Sequence, residues 1–112
     1  MTNLAGRLRH RVDIEAPVIT RGGGGSQDVS WVLFARIWAA IEPLSVKEMV
    51  AAAQTQSAIV ARMIIRYRSD LLPEMRIKHN GTIYNPAGFL PDKDSGLEYL
   101  TIPLTAGLND GS

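Results

Sequence analysis

The 112-residue chain contains no cysteine. Disulfide bridges and thiolate metal sites are thereby excluded, and a reducing compartment is a natural fit. It is poor in aromatic residues (6%) and has only two histidines, His10 and His79. It also lacks an excess of charge: 12 basic side chains face 11 acidic ones, a formal net charge of +1. That balance supplies no general pull toward nucleic acid or an anionic membrane. Long apolar runs are missing too. The stretches 37–41 and 63–65 fall far short of the roughly 20 residues of a membrane helix. The basic, polar opening has no signal-peptide core. The expectation is a soluble protein, intracellular where it is made.

Chemistry is equally sparse. Neither histidine stands beside a nucleophile in a motif of known mechanics. Two histidines and scattered carboxylates do not make a zinc site. Asp92 and Asp94 lack the remaining oxygen ligands of a calcium loop. The glycine run Gly22, Gly23, Gly24, Gly25 is not followed by the Lys-Ser/Thr of a phosphate loop. No catalytic residue, cofactor or metal ligand is assigned, and the chain is expected to act through its surfaces rather than as an enzyme.

What the sequence has is alternation. From Leu8 to Glu15, Leu8, His10, Val12 and Ile14 fall on one side and Arg9, Arg11, Asp13 and Glu15 on the other, the pattern of a strand over a core. Pro17 ends that strand or places it at an edge. Residues 20–28, with four successive glycines, predict a flexible loop, either a plain hairpin connection or an arm that orders on assembly. A second strand follows from Trp31 to Glu42. Ala35, Ile37, Ala39 and Ile41 share one face, and Trp38 sits on the other, where packing under a loop, the helix or a neighbouring subunit is expected. Ser45-Val46-Lys47-Glu48 spells a capping box, flanked by Leu44 and Met49 at staple positions, so a helix is predicted over 46–56. It either caps an open end of the sheet or meets another subunit.

Alternation returns from Ala58 to Arg68, with Ala61, Met63, Ile65 and Tyr67 inward and Arg62, Ile64, Arg66 and Arg68 outward. The arginines either contact phosphate or form a solvated face paired with carboxylates such as Asp13 and Glu15. Asn80-Gly81 predicts a type I′ hairpin joining 75–79 to 82–86. A turn at 92–96 leads to a last strand, 97–104. The tally is five or six strands and one inserted helix: mainly β, a small antiparallel β-barrel. The whole chain, 1–112, reads as one domain, with a flexible N-terminus (1–6), the loop at 20–28 and a frayed tail (106–112).

Four pieces in order resemble the phage head–tail joining proteins, also called head-closure or stopper proteins. Gly6-Arg7-Leu8-Arg9-His10-Arg11-Val12 is similar to that family's Gly-x-Leu-x-x-Arg-Val/Ile opening. The glycine loop and Trp31 come next. Trp38-Ala39-Ala40-Ile41-Glu42-Pro43-Leu44-Ser45 matches its Trp-Ala-x-Ile-x-Pro-Leu-Ser/Thr segment, followed by Glu48 in an alanine-rich helix and by Met63-Ile64-Ile65-Arg66-Tyr67-Arg68. Arg76-Ile77-Lys78-His79-Asn80-Gly81-Thr82-Ile83-Tyr84 resembles its hairpin. The likeness spans Gly6 to Leu104; Asn85-Pro86-Ala87-Gly88 departs from it, where a regular strand is usual. The sequence also looks like versions in phage-like gene transfer agents.

The resemblance implies a barrel with a helix inserted after the second strand. It also implies a six- or twelvefold homo-oligomeric ring in the neck of a virion or phage-like particle assembled in the bacterial cytoplasm. Such a ring lies between the portal–adaptor protein and the tail terminator or tail tube protein. It surrounds passing double-stranded DNA without sequence-specific binding, helps retain that DNA and docks the tail; no membrane is involved. Candidate channel or inter-subunit contacts are Gly22, Gly23, Gly24, Gly25, Trp38, Ser45, Lys47, Glu48, Arg62, Arg66 and Arg68. The competing expectations are a tail-completion or other neck protein, and a small nucleic-acid-binding barrel using Arg62, Arg66 and Arg68.

Overall fold

A computed structural model describes residues 6, 8–22, 24–25 and 27–107. Among these residues seven strands and one helix of more than a single residue follow in the order β1 (His10–Arg21), β2 (Gln27–Pro43), α1 (Val46–Gln54), β3 (Ile59–Arg66), β4 (Arg76–His79), β5 (Thr82–Pro86), β6 (Leu90–Pro91) and β7 (Tyr99–Ala106). All pairings are antiparallel. The order β3-β2-β1-β4-β5-β7 closes on itself through β3–β7, so six strands form a barrel, and β6 adds to β7. Leu90 and Pro91 lie opposite Thr101 and Leu100, on the β7 edge that β5 occupies further along at 104–106. β5 and β6 are therefore one strand interrupted at Pro86, the position that breaks the resemblance; proline has no N–H for a ladder bond.

The alternation read from sequence builds the core. Val12, Ile14, Ala39, Ala61, Met63, Ile65, Ile77, Leu100, Ile102 and Leu104 are buried and mutually packed. Register keeps them in layers: Met63 stands opposite Ile41 on one side and Ile102 on the other, Ile65 opposite Leu100. At the Asn80-Gly81 turn both residues have positive φ (50° and 80°), as a type I′ hairpin requires. Gly107 is held by a second constraint. Its N–H donates to Ile83 O at 2.8 Å, and an added Cβ would meet Ile83 atoms within 2.6–2.9 Å.

Several predicted boundaries shift. β1 begins at His10 and runs through Pro17 to Arg21, six residues past Glu15. The glycine loop narrows from 20–28 to the residues between Arg21 and Gln27. α1 stops at Gln54, because Thr55 caps it and Gln56 takes φ 59°. The last strand starts at Tyr99 rather than Leu97, because 92–98 is drawn into a turn around one carboxylate. Asp92 Oδ1 and Oδ2 accept from the backbone N–H groups of Ser95, Gly96, Glu98 and Tyr99 at 2.9–3.2 Å. Ala106 belongs to β7, so the predicted tail begins later; 108–112 and residues 1–5 of the predicted flexible N-terminus lie outside the described residues.

The barrel is shorter than its first hairpin. β1 pairs with β4 only over 13–15, and β2 with β3 only over 40–43. Beyond Glu15 the two strands pair, among the described residues, solely with each other, out to Arg21 and Gln27. They project as a two-stranded arm about 20 Å long, at about 3.3 Å per residue. The chain measures 57 × 32 × 25 Å with a radius of gyration of 15.6 Å, against about 13 Å for a compact chain of this length.

Ile65→Ala should cost about 2–5 kcal/mol, from lost burial plus the cavity left behind, read as a lower urea midpoint at unchanged slope. The Asp92 turn gives a pH signature. Four backbone donors hold its carboxyl far below the ordinary carboxylate range. The stabilisation is therefore complete above the unfolded value near 3.9 and is lost as pH falls below it toward the folded value. Unfolding of Asp92→Asn should show a shallower loss between about pH 4 and pH 2 than the unsubstituted chain.

Candidate assembly surface

The outer surface is built from the residues that alternation leaves over. Of the predicted arginine stripe, Arg62 reaches Glu48 and lies 3.9 Å from Glu42, and Arg68 makes a two-pronged contact with Asp70 at 2.8 and 3.0 Å. Arg66 is exposed and has no acidic partner among the described residues. The expected carboxylate partners are engaged elsewhere: Asp13 by Arg36 at 2.7 Å and Glu15 by Arg76 at 2.7 Å. Arg62 and Arg68 are thus held in separate ion pairs, and Arg66 alone of the three stands open. The Arg36 hydrogen bond is the leading cause that lowers the Asp13 pKa, and Arg68 does the same to Asp70.

Trp38, expected under a loop, the helix or a neighbouring subunit, stands on the outer wall at 52% exposure, outside the reach of loop and helix. The Arg11 guanidinium lies over its ring at 4.8 Å. The reason is strand divergence. β2 and β3 pair at Ala40 and Ile64 and then separate, so among the described residues no loop or helix closes over Trp38. Leu8, Arg9, Trp38 and Arg66 line the resulting open groove of about 440 Å³. Arg36, Ile37 and Arg68 extend it.

Ser45 and Glu48 make the reciprocal capping box: Glu48 N–H donates to Ser45 Oγ at 3.2 Å and Ser45 N–H to Glu48 Oε1 at 3.0 Å. Hydrogen bonds to the Glu48 carboxylate from the Ser45 backbone, then from its side chain, are the leading causes that keep that carboxyl below its usual range. No residue of α1 is buried, so the helix does not plug the barrel, and Lys47 is exposed. Val46, Met49, Val50 and Ala53 follow the i, i+3, i+4, i+7 spacing of an apolar stripe, yet all four are exposed, Val46 at 79%. Gly22, Gly24 and Gly25 cap the arm's tip, exposed; Gly23 lies outside the described residues.

The arm is the feature that sequence reasoning missed. Register shifts between Ile14 and Glu15, where Phe34 is the extra residue on β2. Such a bulge reverses the alternation beyond it. Leu33 now faces Glu15 and Trp31 faces Pro17, on the outside, and Val32 shares the face of Ala16. Trp31 packs beneath Arg76, whose guanidinium lies 4.2 Å from the ring centre. Val18, Ile19, Val32, Leu33 and Phe34 are left open, Ile19 at 60% and Leu33 at 53%. The available signal was the apolar content of 29–34, too rich for a loop flank.

His10 and His79 are the next inward positions after Val12 and Ile77, and their rings meet edge-on at 5.0 Å. Burial, then the charge of His10, lowers the His79 pKa. Among the described residues no three His, Asp or Glu side chains converge on a point that could hold a metal. No helix among the described residues is long and apolar enough to cross a membrane.

Because Ile19 and Leu33 touch water rather than core, Ile19→Lys and Leu33→Lys should shift the unfolding free energy by no more than about 0.5 kcal/mol. A loss approaching that of Ile65→Ala, in the same urea titration, would mean that the arm folds back onto the barrel.

Comparison with known proteins agrees with this architecture. No curated protein sequence matches the chain. The solution structure of protein SF1141 from Shigella flexneri 2a aligns with a TM-score of 0.72 at 30% identity, covering 93% of this chain and 96% of that one. A chain of the virion of a native gene transfer agent particle shares the fold, with a TM-score of 0.59 at 14% identity over 91% and 96% of the two chains. The profile of the phage head completion proteins matches residues 4–107. With nearly its whole length matched, the chain belongs to the phage head completion protein family, a family of structural virion proteins.

Proposed function

We propose that this protein is a head-closure subunit: one member of a ring between the portal–adaptor assembly and the tail, surrounding the DNA channel, helping retain packaged DNA and docking the tail. Membership of the head completion family supports a structural place in the virion. The observation that carries the finer reading is the projecting arm. A two-stranded ribbon is marginal in water, and this one exposes Val18, Ile19, Val32, Leu33 and Phe34. Apolar side chains on a projection are a liability for a free monomer and an asset for a subunit with fixed neighbours.

The near-neutral net charge of +1 suits a channel wall that DNA slides past, since each phosphate contact adds salt-dependent affinity. The ion pairing of Arg62 and Arg68 argues in the same direction and against a stand-alone nucleic-acid-binding barrel. In that barrel those side chains would have to be open to phosphate.

The test is location and loss. A gold-labelled tag on the chain should appear at the head–tail junction of purified particles. Cells lacking the chain should yield heads that leak DNA and carry no tails. A chain whose arm is shortened by removing 17–20 and 28–31 should not restore filled, tailed particles. Label at the distal tail, or normal particle yield without the chain, would refute the reading.

A further inference from the structure

Two apolar surfaces stay exposed among the described residues, and they stand at opposite ends of β2. One is the arm, which contains the first half of that strand. The other is α1, which starts three residues after the strand ends at Pro43. Seventeen residues of β2 span about 55 Å at about 3.3 Å each, so the arm of one chain is too distant to fold onto its own helix. The two surfaces also differ in form, one a flat ribbon and the other a narrow stripe of Val46, Met49, Val50 and Ala53. Distinct, separated patches that fit each other generate heterologous contacts, and such contacts close into rings when the rotation permits.

We infer that the arm of each copy lies on α1 of the next copy, with Ile19 and Leu33 against the Val46–Met49–Val50 stripe. This rests on the ring reading above and supplies its interface. Three observations favour a second copy as the occupant. Charges complement: Asp28 near the arm's tip and Lys47 on the helix are exposed, and neither forms an ion pair among the described residues. The arm's edges are guarded against plain strand addition, by Pro17 on β1 and by the bulge at Phe34 on β2, both devices that blunt an edge. Its faces, not its edges, are therefore the docking surface.

The area also fits. A ribbon about 20 Å long and about 10 Å wide offers on the order of 200 Å² on the face that carries Ile19 and Leu33, roughly a quarter of the ~800 Å² each partner gives a standard interface. A single arm–helix contact is too small for a stable dimer. In a closed ring every copy makes it twice, once with its arm and once with its helix.

The experiment uses particles. A photo-reactive benzophenone amino acid is placed at position 33 in a chain expressed alongside the unsubstituted one, and in a second preparation at position 49. Illumination of purified particles should give a species of twice the chain mass. Its digest should join position 33 to a peptide carrying α1, and position 49 to a peptide carrying the arm. Attachment of position 33 to another virion protein or to another copy's arm, or no doubled species in particles that contain the chain, would overturn the contact while leaving the ring reading intact. Absence of the chain from particles, seen by immunoblot before illumination, would overturn both.

Discussion

A mismatch of lengths governs this molecule. The barrel has room for only the second half of β2, because its wall neighbours β3 and β4 are eight and four residues long and pair over short stretches. Seventeen residues of extended chain cannot be absorbed by such a wall. The excess leaves it with β1 as its only partner, and the arm results. The bulge at Phe34 stands where the ribbon departs. It twists the hairpin away and exchanges the faces of every residue beyond it, so an apolar sequence that began as core finishes as surface.

Around that departure the fold is pinned by local devices of different kinds. Arg76 joins β4 to Glu15 of β1 and covers Trp31 of β2, tying the base of the arm to the barrel in one nearly buried cluster. The Trp31 indole N–H there is buried with no hydrogen-bond partner among the described residues. At the other end of the chain, one carboxylate organises a whole connection, since Asp92 satisfies four backbone donors and lets β7 begin in register with β3. The helix is the least anchored element. It is held by its capping box and the Arg62 ion pair, and it buries nothing. A nine-residue helix of that kind is marginal by itself, which agrees with a role as a contact element between subunits.

Much of this was legible in the residues. Period-two alternation located Val12, Ile14, Met63 and Ile65 in the core, Asn80-Gly81 announced its hairpin, and Ser45 with Glu48 placed the helix start to the residue. These are local signals, each written within a few positions of the atoms it arranges. The arm was not legible, for the same reason. Continuous alternation would have put Trp31 and Leu33 on the core side with Ala35, and nothing near Phe34 marks a bulge. The partners of the arginines were likewise hidden, because Arg36–Asp13 and Arg76–Glu15 are separated by 23 and 61 residues. Trp38 was expected under a loop, the helix or a neighbouring subunit, and the divergence of β2 from β3 removes the first two covers.

By itself, then, the amino-acid order determined the β character, the inward and outward sets within the barrel, the turns and the helix cap, since backbone stereochemistry and side-chain period act over short range. Tertiary structure alone decided where the strands run out of neighbours, which ion pairs form, and that the leftover apolar residues gather on an arm and a helix at opposite ends of one strand. Those outcomes depend on the closure of β3 onto β7, a long-range condition that no local window of sequence contains.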